Sequence, residues 1–343
     1  MRAANDGEKT SMAGLSRRSI FGACIACGAA HLGLRATPAQ AQAPAPAAGG
    51  WVPPPSSARC PSPFGAADRR GHMNLLTDAK REAAARLIRT GRQVELGRRL
   101  EPAMPFFGTR RFDVHLKRTF MNPGINTRGS NEEIVLSEIG QVGTQLDAFP
   151  HQTIGDEVYN CVKYESIASR GGFTEMGVDG IGTIFTRGIL IDVAGLKGVQ
   201  TLPDTYEITV DDLQQALRRQ DLNIEEADAV IINTGWGAHW GTDNARYVRS
   251  CPGIGTAAAE WIISRRPVLM GSDNWPVEVA PNPNPQLSLP VHQIALAVHG
   301  VHLLENMKLD ELARDRIHRF ALAVQPLKIA GGTGSTVAPT AMI

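Results

Sequence analysis

Short runs along the chain alternate apolar and polar positions with a period of two, the pattern of strands whose successive side chains face opposite sides of a sheet. Residues 93–96, 134–139, 188–193, 230–233 and 268–271 read this way. Between them the apolar spacing changes to three and four. Ala83, Ala84, Leu87 and Ile88 predict a helix over 78–92 that Gly91 would end. A second helix is predicted over 210–220, capped by Thr209 and carrying Asp211 and Asp212 in its first turn, where the helix dipole favours negative charge. A third covers 256–265. Strands interleaved with helices indicate an α/β fold. Towards the end, 320–324 and 326–329 read as a closing strand pair, followed by a structural glycine cluster at Gly331, Gly332 and Gly334.

The first residues break this pattern. Ser16-Arg17-Arg18-Ser19-Ile20-Phe21, a small and apolar stretch to Leu34, and Ala39-Gln40-Ala41 together read as a twin-arginine-type export signal over 1–41. Residues 42–58 follow as a Pro/Ala-rich tether outside the core, and 59–343 as the folded domain. The expected destination is the periplasm or beyond it. After residue 41 no apolar run approaches the roughly 20 residues that cross a bilayer. A net charge of +1, with no long block of either sign, gives no electrostatic ground for binding nucleic acid or an anionic membrane. Cys24 and Cys27 would leave with the signal. Among Cys60, Cys161 and Cys251 one disulfide could form in an oxidising compartment, and three buried thiols fit the sequence equally well.

Two polar clusters carry the candidate chemistry. Gln141, Gln145, Asp147 and His151 fall within one short stretch, with Gly143 and Pro150 forcing irregular backbone between them. A carboxylate, two amides and an imidazole suit a cation such as manganese or zinc, although such a loop could equally cap strand ends. The second cluster holds His292, His299, His302 and Glu305. If the segment before Gly300 is an α-helix, His292 and His299, seven apart, share a face. If a strand follows Gly300, then Val301, Leu303 and Glu305 point one way and His302 the other. Two clusters far apart in sequence make a shared metal more credible than either does alone.

These clusters resemble the cyclase and kynurenine formamidase family, whose motif HxGTHxDxPxH has Gly143, Thr144, Asp147 and His151 in register here. The likeness continues through residues 71–77, 187–193, Thr234-Gly235-Trp236, Gly271-Ser272-Asp273, Leu303-Leu304-Glu305-Asn306 and Pro326-Leu327-Lys328. The resemblance implies a swivelling ββα-type α/β domain, a homodimer or homotetramer, and a divalent metal, Mn or Zn. The chain departs from the motif at Gln141 and Gln145, where the family has histidines, and at Phe149, where it has proline. A glutamine carbonyl is a harder ligand than imidazole, which moves the preference towards manganese.

What the resemblance implies for chemistry is hydrolysis of an amide, cyclic amide or imide, or lactone. Asp147, His292 and Glu305 would hold the metal, with Gln141 and Gln145 completing or bordering the shell. His151 would be the general acid and base, and His299 a further ligand or an orienting group. Phe149, Trp236, Trp240 and Trp275 could wall a pocket for a cyclic or aromatic small molecule, each being equally at home in the core. Two rivals remain at this level. A serine hydrolase would need Ser272 as nucleophile, without a GxSxG elbow. A binding protein on the same fold would retain the ligand pocket and lack turnover.

Overall fold

The computed structural model describes residues 50–119 and 124–343. The expected signal, 1–41, and the first part of the expected tether, 42–49, lie outside the described residues. From Gly50 the chain does not stand clear of the core as a tether would. Trp51 packs against the buried cluster formed by one face of the main sheet, because an indole gains more from contact with that surface than from water.

The strands used below are β1 (Gln93–Glu95), β2 (Phe112–Thr119), β3 (Ser130–Ser137), β4 (Gln145–Asp147), β5 (Ile184–Asp192), β6 (Ala229–Asn233), β7 (Leu269–Ser272), β8 (His302–Glu305), β9 (Arg319–Val324), β10 (Gly334–Thr336) and β11 (Thr340–Met342). Nine of them form one sheet in the order β1-β11-β9-β5-β6-β7-β8-β4-β10. Its centre, β5 to β8, is parallel, and antiparallel strands flank it on both sides. The parallel strands are nearly continuous apolar runs, as expected of strands covered on both faces. Ile189, Ile191, Val230, Ile232 and Leu303 enter one buried cluster, while Leu190, Ile231, Leu269 and Leu304 enter the other. Each such side chain, fully buried, contributes about 2 kcal/mol relative to exposure.

Helices α2 (Val210–Gln220) and α3 (Thr256–Ile263) cover the first face. Thr209 caps α2 as the sequence predicts, and the structure adds a reciprocal bond from Asp212 that completes a capping box. The helix expected over 78–92 is shorter, α1 (Asp78–Ala85). Tight bonds from Leu87 N to Ala84 O and from Ile88 N to Ala85 O close it, and the chain is then drawn away to pair β1 with β11 at the carboxy end. Long-range pairing here overrides local helical spacing.

The expected strand pair at 320–324 and 326–329 does not form. β9 pairs with β5 and β11, and 326–329 is irregular. Of the strand expected at 134–139, residues 134–137 belong to the longer β3, which among the described residues pairs with β2 alone, and 138–139 turn out of it. Cys60 and Cys161 are joined in a disulfide and Cys251 is a buried thiol. No helix among the described residues is long and apolar enough to cross a membrane.

Candidate metal centre and active site

The sheet register brings the two polar clusters together. β4 runs antiparallel to β8, with Gln145 opposite Glu305 and Leu146 opposite Leu304. Leu146 and Leu304 enter one core, so the two-residue period turns Gln145, Asp147 and Glu305 to the other face. Val301 and Leu303 enter the core on that same face, as the sequence predicts. The loop before β4 is tied to β8 by Thr144 Oγ1 donating to Asn306 O and Asn306 Nδ2 donating to Gly143 O, each at 2.8 Å. Gly334 on β10 admits Gln141: a Cβ there would lie 2.7 Å from Gln141 Nε2 and 2.6 Å from Gly140 O.

His292 ends the short helix Pro290–His292 and is buried. Its Nδ1 lies 2.7 Å from Glu278 Oε1, and the backbone N–H groups of Val291 and His292 donate to the same carboxylate at 3.0 Å. With Nδ1 engaged, Nε2 faces Glu305 Oε1 at 3.1 Å and Asp147 Oδ2 at 3.9 Å. Burial disfavours charge on His292, but Glu278 and Glu305 outweigh it and push its pKa well up.

Burial pushes the Asp147 carboxyl up to about 6, His151 opposing and Glu305 adding to the shift. His151 is half-buried, and burial holds its pKa below the usual imidazole value against the pull of Asp147. Near neutral pH its ring therefore retains a lone pair able to accept a proton. Ligating atoms of Asp147, His151 and His292 lie within 4.8 Å of one another, a group able to hold a metal ion.

The two glutamines do something the sequence does not reveal. Gln141 Nε2 donates to Asp147 Oδ1 at 3.4 Å, and Gln145 Nε2 donates to Glu305 Oε2 at 2.8 Å and to Gln141 Oε1 at 3.1 Å. Each amide thus occupies one oxygen of a carboxylate. The remaining oxygens, Asp147 Oδ2 and Glu305 Oε1, and also Gln145 Oε1, are buried without a hydrogen-bond donor. The contact between Glu305 Oε1 and His292 Nε2 is short but lacks hydrogen-bond geometry. Such acceptors are costly to bury, and a divalent cation is the partner that satisfies several at once. The donor set therefore fits a metal. Gln141, expected as a ligand, has its carbonyl oxygen engaged by Gln145 and acts as a clamp on Asp147 instead.

Other expected residues lie elsewhere. His299 is half-exposed and pairs with Glu260 of α3 at 3.0 Å. The segment between it and His292 is a π-helix, Gln293–His299, and its wider i→i+5 turn breaks the seven-residue repeat that would have aligned the two histidines. Trp236 is fully buried and donates its indole N–H to Tyr247 O, a core role. Phe149 stacks on His302 at 4.4 Å, within the core. Trp240 packs beneath Arg98 and against Tyr247. Trp275 shares a cavity wall with Gln141, and Phe149 shares another with His302. Ser272 is fully buried, so its hydroxyl, 3.5 Å from the Asp273 carboxylate, is closed to a substrate.

Glu278 escaped the sequence reading, and His302, though named in the second cluster, was given no role there. Glu278 is a lone charge in the apolar run Trp275-Pro276-Val277-Glu278-Val279-Ala280, and that isolation was the only signal it gave. His302 donates from Nδ1 to Asp147 O at 2.8 Å and so fixes the backbone of the central carboxylate. Burial lowers its pKa to about 4.

The Cyclase family model, described as "Putative cyclase", matches residues 94–279. A solved structure of a novel cyclase is 30% identical, covering 82% of this chain and 98% of its own, with a TM-score of 0.74. The chain belongs to the cyclase family. Isatin hydrolase A from Ralstonia solanacearum is 23% identical, with coverages of 73% and 91% and a TM-score of 0.54. Isatin hydrolase A from Labrenzia aggregata, solved with benzyl benzoate, is 20% identical, with coverages of 74% and 93% and a TM-score of 0.54. Both share the fold. No curated protein matches the chain.

Proposed function

We propose that this cyclase-family protein is a metal-dependent hydrolase that opens a cyclic amide, imide or lactone or cleaves an aryl amide. The observation that carries this is the set of buried oxygens on Asp147, Glu305 and Gln145 left without donors beside His292 Nε2. Asp147, His292 and Glu305 would hold the ion, with Gln145 Oε1 completing the shell. A bound divalent cation would lower the pKa of a water and polarise the scissile carbonyl. His151, uncharged near neutrality, accepts the proton of the attacking water on a ring nitrogen and returns it to the leaving nitrogen or oxygen. Glu278 holds His292 by Nδ1 so that Nε2 stays turned to the carboxylates. The oxygen-rich donor set supports manganese over zinc.

The isatin hydrolases of the same fold act, by name, on a cyclic amide, which supports that substrate class here. The same reading places the protein outside the cytoplasm as a homo-oligomer. The twin-arginine-type signal and the Cys60–Cys161 disulfide support the first, and Leu116, Ile134 and Leu136, exposed on the hairpin, support the second.

The test is metal analysis of purified protein combined with a panel of isatin, phthalimide, formanilide and simple lactones. Turnover of at least one compound, abolished by chelator and restored by manganese, is the expected result. Full activity after verified metal removal rejects the mechanism. Metal binding without turnover on any compound favours a binding protein on the same fold.

A further inference from the structure

Beside the metal cluster lies a narrow cavity whose wall includes Gln141, Phe107, Arg110 and Trp275. Two of its donors have no part in the reaction above. Arg110 is half-buried and makes no ion pair or hydrogen bond within the described residues. Its guanidinium lies over the Phe107 ring at 5.8 Å. Its charge acts on both Asp147 and His151. Trp275 stacks on Phe107 at 4.4 Å, and its indole Nε1–H is buried with no acceptor. Phe107, Val248 and Trp275 also line an adjoining cavity of about 270 Å³, whose other walls include Pro281 and Leu289. That cavity is of a size for a single ring system.

We propose that Arg110 and the indole N–H of Trp275 form a subsite for the carboxylate of a planar, ring-containing ligand. A carboxylate offers two acceptor oxygens, which match one charged and one neutral donor. Its ring lies against the Phe107–Trp275 face. Burying an indole N–H without an acceptor is costly, and the ligand removes that cost while pairing with the half-buried guanidinium. Arg110 also offsets the negative charge that Asp147 and Glu305 would present to an anionic ligand. The subsite selects substrates bearing a carboxylate beside the bond to be cleaved, and in that respect it rests on the hydrolase reading; the anion preference itself does not.

The experiment is calorimetric titration of metal-loaded protein with benzoate and with benzamide, its neutral counterpart. Benzoate is expected to bind about ten-fold or more tightly than benzamide. Arg110→Gln should abolish that preference, weakening benzoate far more than benzamide. Arg110→Lys should keep part of it, which also controls for loss of fold. Trp275→Phe should weaken benzoate several-fold and benzamide much less. Equal binding of the two probes to the wild-type protein overturns the proposal. So does a preference that survives in Arg110→Gln, since benzoate would then be held by the metal alone. Turnover of the substrate panel, extended by 2-formamidobenzoate, a formanilide with a carboxylate beside the scissile bond, is followed in the same preparations. Anion preference without turnover removes the hydrolase reading and leaves the subsite, and turnover without anion preference does the reverse.

Discussion

At the scale of single residues, His292 takes its task from its neighbours. Glu278 engages Nδ1, which leaves Nε2 as the atom turned to Asp147 and Glu305. Glu278→Gln should lower metal affinity by about 10–100-fold with the fold retained, measured by competition against a chromophoric chelator. Unchanged affinity would remove Glu278 from the account. Asp147→Asn should be more severe, since it deletes a buried anionic ligand rather than a partner of one, and metal content after dialysis reads it directly. His72 offers a test away from the site. Burial holds its pKa down to about 4, the Pro267 carbonyl opposing only in part. In the unfolded chain it titrates near 6.5. Between those values the unfolded state binds a proton that the folded state refuses. Stability is therefore lost as pH falls from about 6.5 towards 4, by on the order of 3 kcal/mol for this group. His72→Gln should flatten that part of a plot of unfolding free energy against pH.

Among the elements, the π-helix decides which histidine reaches the carboxylates. It ends at Gly300, whose φ of +66° favours glycine and whose Cβ, if present, would lie 2.6 Å from the Tyr159 ring and 2.9 Å from Gly71 Cα. Both neighbours are buried, so neither can yield cheaply. Gly300→Ala should cost about 2 kcal/mol or more in urea unfolding and weaken metal binding by displacing β8. The β2–β3 hairpin behaves differently. Leu116 is 84% exposed and meets no core, so Leu116→Ser should change the stability of the isolated subunit by less than about 0.5 kcal/mol.

For the molecule as a whole, the disulfide ties Cys60, at the entry to the domain, to Cys161, whose short helical turn Tyr159–Cys161 packs against the π-helix. It closes a loop of sequence separation 101. Replacing both cysteines by serine should remove about 4 kcal/mol of stability through the wider freedom of the unfolded chain, measured as a shift in urea midpoint. Because the turn abuts the helix that follows His292, the same variant should lose metal more readily than the parent at equal urea.

How much of this was legible beforehand follows from the range of each interaction. Strands β5, β6, β7 and β9, the Thr209 cap, and the opposed facing of Glu305 and His302 depend on contacts within a few residues, and the sequence alone determined them. The co-location of Asp147 with His292 depends on β4 lying against β8, a pairing that periodicity cannot choose, and a family resemblance supplied it. Tertiary structure alone decided three further matters. The π-turn removed His299 from the site, since a seven-residue spacing aligns side chains only at α-helical pitch. Packing into the core claimed Phe149 and Trp236, two aromatics expected to line a pocket. The side-chain register made Gln141 a clamp and Glu278 an orienter, because a hydrogen-bond partner is fixed by three-dimensional approach and leaves no periodic trace in the chain.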